Sequence, residues 1–152
     1  MPTDGASRWT TVRLVVNWVN LATPLGLLVA AVGRAHLDAP DGRGIRVAGG
    51  YRFGFPIAGA FTLGNIVITR HDARWLRERP SMLAHEDRHA TQFGWCLGPG
   101  MLVFYLVAAA FSWVVAGDHS SYNPFERLAG LSDGGYPQPR TRRARRAQRL
   151  EM

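Results

Sequence analysis

The sequence predicts an α+β fold, mainly helical, in which a His-Glu-x-x-His helix lies beside a small sheet and two long apolar helices sit in the membrane. Three observations carry this. His85-Glu86-Asp87-Arg88-His89 has the spacing of a metal-binding helix. Phe61 to Thr69 is rich in aromatic and β-branched residues. Leu14–Val32 and Cys96–Ala116 are apolar runs of about the length that crosses a hydrocarbon core. At 152 residues the chain is one domain's worth, assigned to residues 1–136, followed by an Arg-rich tail over 137–152.

The first apolar run lies between Arg13 and Arg34 and is interrupted by Asn17, Asn20, Thr23 and Pro24, which makes it an imperfect span. A signal peptide is its other reading, with Arg8 and Arg13 as the basic region and Ala31-Val32-Gly33 as the cleavage site. Gly33 to Gly50, rich in Gly, Asp, Pro and Arg, reads as a loop. Tyr51 to Arg70 reads as one or two strands with Gly64-Asn65 at a turn or bulge. A polar helix is expected over His71 to Glu78. Pro80 then marks a break, and Ser81 caps a helix from about Met82 to Trp95. On that helix Met82, His85, His89, Gln92 and Cys96 recur at three- and four-residue spacing and form one face. Gly98-Pro99-Gly100 interrupts the helix before the second apolar run, which carries no charge and has Trp95 and Trp113 near its ends. Ala116 to Asn123 reads as a loop, and Pro124 suits the first turn of a short helix over Phe125 to Leu131.

The formal net charge is +7, and every basic residue is arginine. Six of the arginines fall between Arg140 and Arg149, in a segment too polar to bury a core and therefore expected to be disordered. Such a tail suits anionic headgroups. No aromatic or groove-like pattern accompanies the charge, so no specific nucleic-acid binding is expected. The single Cys96 excludes an internal disulfide. With both runs spanning, the expected location is the cell membrane, the termini sharing the cytoplasmic side.

Two histidines four apart lie one above the other on a helix, so both imidazoles reach one Zn2+. A catalytic zinc needs a third protein ligand, for which Glu126 is the leading candidate and Asp118 and His119 are rivals. Glu86 would not ligate the metal. Its role is the catalytic base that takes a proton from water and returns it to a leaving amine. Gln92, on the same face, could hydrogen-bond a ligand or a substrate carbonyl, although a polar helix residue without a special role is the favoured reading. Tyr105, Tyr122 and Tyr136 are equal candidates for stabilising an oxyanion.

Met82-Leu83-Ala84-His85-Glu86-Asp87-Arg88-His89 resembles the zinc-binding helix of the zincin metallopeptidases. Together with Glu126 in Asn123-Pro124-Phe125-Glu126-Arg127-Leu128-Ala129-Gly130, it is similar to the gluzincin arrangement, where a glutamate on a later helix completes the site. The same combination, with Leu97-Gly98-Pro99 and an apolar stretch, also resembles small bacterial membrane proteins that carry this motif. The resemblance implies a membrane-associated zinc metallopeptidase acting on peptide or protein substrates, with membrane lipid as its other partner. It also implies an edge strand beside the motif helix, here Thr62 to Thr69, to which a substrate adds as a further strand. The resemblance covers about fifty residues. Asp87 and Arg88 depart from it, because zincin helices usually carry uncharged residues between the glutamate and the second histidine. A non-catalytic membrane protein with a structural metal site, or with no metal, is the competing reading.

Overall fold

In the computed structural model, which describes residues 8–56 and 58–136, the first apolar run is two helices rather than one. Helix α1 spans Arg8–Val19 and α2 spans Ala22–Val32, bent by 69° at the break. Leu21 there adopts a left-handed backbone (φ 68°), and the Asn20 side-chain oxygen accepts the Ala22 N–H at 3.0 Å. Asn20 thereby starts the second helix.

The sheet follows. Strands β1 (His36–Leu37), β2 (Arg46–Gly49), β3 (Ala60–Leu63) and β4 (Ile66–Thr69) lie in the order β1-β2-β4-β3. β3 and β4 form an antiparallel hairpin, so the expected one or two strands are two and Gly64-Asn65 is a turn rather than a bulge; Ala60 pairs with Thr69 and Leu63 with Ile66. Gly64 sits at φ 60°, where a side chain would also strike the Thr23 backbone nitrogen. β2 runs parallel to β4, Val47 opposite Val67. β1 and β2 stand where composition alone predicts a loop. Arg46-Val47-Ala48-Gly49 has little strand propensity of its own, and its pairing with β4 supplies what propensity does not.

Interior position explains why all four residues of β4 are buried. Ile66 meets α2 at Gly26, where an added Cβ would come within 2.5 Å of the Leu63 carbonyl oxygen. Val67 turns the other way, into a cluster with Val47, Ala60, Leu76, Leu83 and Ala90. The sheet has β1 and β3 at its edges, so of the expected edge strand Thr62 to Thr69 only the part in β3 lies at an edge and the second half is central.

Leu76 comes from α3 (Ala73–Arg77), whose first turn is capped by the Asp72 carboxylate accepting the Trp75 N–H at 2.8 Å. Leu83 and Ala90 come from α4 (Pro80–Trp95). This helix begins at Pro80, two residues before the expected start at Met82, so Ser81 lies inside it rather than capping it. Proline at a first helical position loses no hydrogen bond, so Pro80 opens the helix instead of breaking its approach.

A polar ladder from α1 holds α4. Arg13 donates to the Asp87 carboxylate at 2.6 Å and to the Asp87 carbonyl at 3.4 Å. Asn17 donates to the Ala90 carbonyl at 2.8 Å, and Asn20 to the Phe93 carbonyl at 3.2 Å. The donors recur at helical spacing along one face of α1, and the acceptors recur every third residue along α4. The polar residues that spoil a spanning helix in the sequence are thus the grip on the motif helix.

The chain divides after Met101 into two compact units, and everything above belongs to the first. In the second, α5 (Gly100–Ala116) is followed by a turn and α6 (Pro124–Ala129). The Ser112 hydroxyl accepts the Tyr122 N–H at 2.8 Å and ties the turn to α5. Asn123 caps α6 by accepting the Phe125 N–H at 3.0 Å, with Pro124 at the first helical position as expected.

The fold class is mixed α+β, about 52% helical, with one small four-stranded sheet. Cys96–Ala116 is not one helix, since helical structure stops at Trp95 and resumes at Gly100. Among the described residues no single helix is long and apolar enough to cross a membrane, and two bent pairs pass that test only when their halves are joined. The expected Arg-rich tail lies outside the described residues.

Candidate metal centre

Helical geometry places His85 and His89 one above the other on the face of α4 that turns inward. His85 is 1% exposed and His89 7%. Their Nε2 atoms are 3.1 Å apart, with the rings nearly perpendicular at 86°. Two solvated, unrelated histidines would show neither the burial nor the convergence.

Gln92, one turn further along the same face, acts on His89. Its Oε1 lies 2.8 Å from His89 Nδ1 and accepts that nitrogen's proton, which leaves the Nε2 lone pair directed at the point the two imidazoles share. Spacing had already put Gln92 on this face. What it lacked was the partner, which depends on the side-chain rotamer.

Glu86 reaches the sheet through one of its carboxylate oxygens. It is buried, and the Thr62 hydroxyl on edge strand β3 donates to its Oε2 at 2.6 Å. The same hydroxyl lies 3.3 Å from the Glu86 carbonyl oxygen. The Thr62 hydroxyl on the sheet therefore orients the carboxylate. Nothing in the local sequence identifies Thr62, because the contact joins residues far apart in the chain.

Asp87 and Arg88, the two charges inside the motif, do not open the histidine face. Asp87 is turned to α1 and forms the 2.6 Å ion pair with Arg13, itself 4% exposed. Arg13 also donates to the Arg43 carbonyl at 2.5 Å. The departure from an uncharged motif interior is thus the helix's anchor.

In the second unit Glu126 is 2% exposed, within the first turn of α6. The Tyr105 hydroxyl on α5 donates to its Oε1. Tyr105 is thereby distinguished from the other tyrosines: Tyr136 meets the ring of His119 edge-on at 5.4 Å, and Tyr122 lies under Arg127.

His85, His89 and Glu126 form a buried group able to hold a metal ion, their ligand atoms all within 4.8 Å of one another. Among the described residues neither Asp118 nor His119 joins such a group. Asp118 is engaged in its own turn, accepting from the Ser121 N–H at 2.7 Å, the Ser121 hydroxyl at 2.8 Å, and the N–H and hydroxyl of Ser120 at 3.1 Å. Burial raises the Asp118 pKa, but the hydrogen bonds from Ser121 and Ser120 outweigh it and bring the carboxyl down to about 2. Two imidazole nitrogens and one carboxylate oxygen are a donor set that suits a borderline ion such as zinc and leaves a coordination position open. The residues present fit the metal that the motif implies. No protein-family model, no curated protein and no solved structure matches the chain.

Proposed function

We propose that the protein is a zinc-dependent metallopeptidase. His85, His89 and Glu126 would hold the ion, and Glu86 would serve as general base. The observation that carries this reading is the convergence of two buried histidines and a buried glutamate, with a second buried carboxylate one residue after the first histidine. Zinc bound there would supply Lewis-acid polarisation of a water and of the scissile carbonyl. Glu86 takes a proton from the attacking water and returns it to the amine nitrogen as the C–N bond breaks, so that water is added across the peptide. Thr62 holds the Glu86 carboxylate through Oε2, which fixes the direction in which that proton moves. Gln92 keeps His89 in the tautomer a metal requires. Edge strand β3, which carries Thr62, is the place where an extended peptide would add.

The test pairs metal content with hydrolysis of β-casein and of a quenched-fluorescent peptide pool. Wild type should carry zinc and cleave, while Glu86→Gln keeps the zinc and loses roughly 10²–10⁴-fold in rate. Undiminished cleavage by Glu86→Gln overturns the mechanism. Stoichiometric zinc without cleavage by wild type assigns the ion a structural role.

A further inference from the structure

We infer that the outer faces of α1, α2 and α5 contact a lipid bilayer bearing anionic headgroups. The inference is independent of whether the metal centre is catalytic. It rests on an outward apolar face that recurs in each of these helices, opposite buried polar side chains on α1 and small residues on α2. On α1 the inward residues are Arg13 and Asn17, both buried and hydrogen-bonded, while Val12, Val15, Trp18 and Val19 are exposed. On α2 the inward residues are small, Ala22, Thr23, Gly26 and Ala30, while Leu28 and Val32 face out. A helix solvated by water shows the opposite arrangement, with its apolar stripe inward and its polar residues outward.

Helix α5 makes the case most fully. Val103, Phe104, Leu106, Val107, Phe111 and Val114 are each 57–73% exposed, and no charged residue occurs between Gly100 and Ala116. At 100° per residue these positions cover about half the helix circumference. Its two hydroxyl side chains are both used within their own unit, Ser112 towards the Tyr122 N–H and Tyr105 towards Glu126. A protein-docking surface has an apolar centre ringed by polar groups, and α5 itself carries no charged residue to contribute to such a ring. Hydrocarbon needs none. Apolar exposure on this scale also exceeds what soluble monomers leave open to water.

Charge complementarity selects the headgroups. Arg8 at the start of α1 and Arg34 just after α2 are both exposed, so a guanidinium stands at each end of that apolar pair. The whole chain is arginine-basic at +7. Arginine at the end of an apolar helix reaches headgroup phosphates while its stem stays in the acyl layer.

The test uses the full chain in a Cys96→Ser background, reconstituted in phosphatidylcholine/phosphatidylglycerol vesicles. Single spin labels are placed through Val15→Cys, Leu28→Cys and Val107→Cys, with Arg74→Cys on exposed α3 as the aqueous control. Oxygen should outcompete a water-soluble nickel chelate several-fold at positions 15, 28 and 107, and the order should reverse at 74. Preference for nickel at the three apolar positions overturns the inference. So does exclusion of both reagents, which identifies a second copy or another protein as the cover. Flotation of unlabelled wild type with the same vesicles is the check that needs no substitution. Protein left at the bottom of the gradient also overturns the inference.

Discussion

Helices α4 and α5 are neighbours in sequence and opposites in composition, and they bury opposite things. α4 hides its polar side chains: His85, Glu86 and His89 are buried, each with a hydrogen-bond partner or ligand-group neighbour. α5 displays its apolar ones, with Phe104, Val107 and Val114 largely exposed. Hydropathy alone would assign the reverse. The difference teaches that burial here follows hydrogen-bond supply. α4 lies where α1, β3 and its own Gln92 furnish partners for polar atoms. A buried polar group so supplied costs little, and one without a partner costs about 1–3 kcal/mol.

If partner supply is what holds α4, removing a supplier should hurt most. Arg13→Leu leaves Asp87 and the Arg43 carbonyl without their donor. It should destabilise the fold by about 3 kcal/mol, at the low end for a broken buried pair because Asp87 keeps some access to solvent. Asn17→Leu removes bonds to Asn65 and to the Ala90 carbonyl and should cost about 2 kcal/mol. Denaturant unfolding measures both. Equal stability of either variant with wild type would mean the ladder is incidental.

The next effect is on metal affinity rather than stability. Gln92→Leu releases the His89 Nδ1 proton from its acceptor and should weaken zinc binding roughly 10–100-fold, whereas Gln92→Glu retains an acceptor and should bind at least as well as wild type. Tyr105→Phe should weaken binding about 10-fold, through the loss of the hydroxyl that orients Glu126. Competition with a fluorescent zinc chelator reads both. Unchanged affinity in the leucine variant would reduce Gln92 to a surface residue.

The smallest effect lies in the turn of the second unit. The Asp118 pKa, about 2 in the folded chain, is below its value of roughly 3.9 in an unfolded one. A depressed folded-state pKa contributes stability that is complete above about pH 4 and is lost as the pH falls towards 2. Much of that contribution is screened by solvent. Asp118→Asn should flatten this acid limb slightly and leave stability at pH 7 only a little lower, as thermal melts at stepped pH would show.

Local signals were the legible ones. Gly64-Asn65 between β-rich residues marked the hairpin, and Asn123-Pro124 marked the start of α6. The i, i+4 histidines and Glu126 could be singled out because metal chemistry restricts which residue types take part. Signals that depend on a distant partner were not legible. Arg46–Gly49 becomes a strand through its pairing with β4, and Asn17 and Asn20 looked like flaws in a span until α4 lay beside them. Thr62 and Gln92 belong to the same class, since their roles follow from one hydroxyl and one amide oxygen meeting Glu86 and His89.

The central claim is that His85, His89 and Glu126 hold one ion together. Its most direct test is zinc stoichiometry and affinity of the full chain beside His85→Ala and Glu126→Ala, with Asp118→Ala as control. One zinc per wild-type chain, retained by Asp118→Ala and lost or weakened at least 100-fold in the other two, is the predicted result. Wild-type affinity in Glu126→Ala, or no zinc in folded wild type, would contradict it.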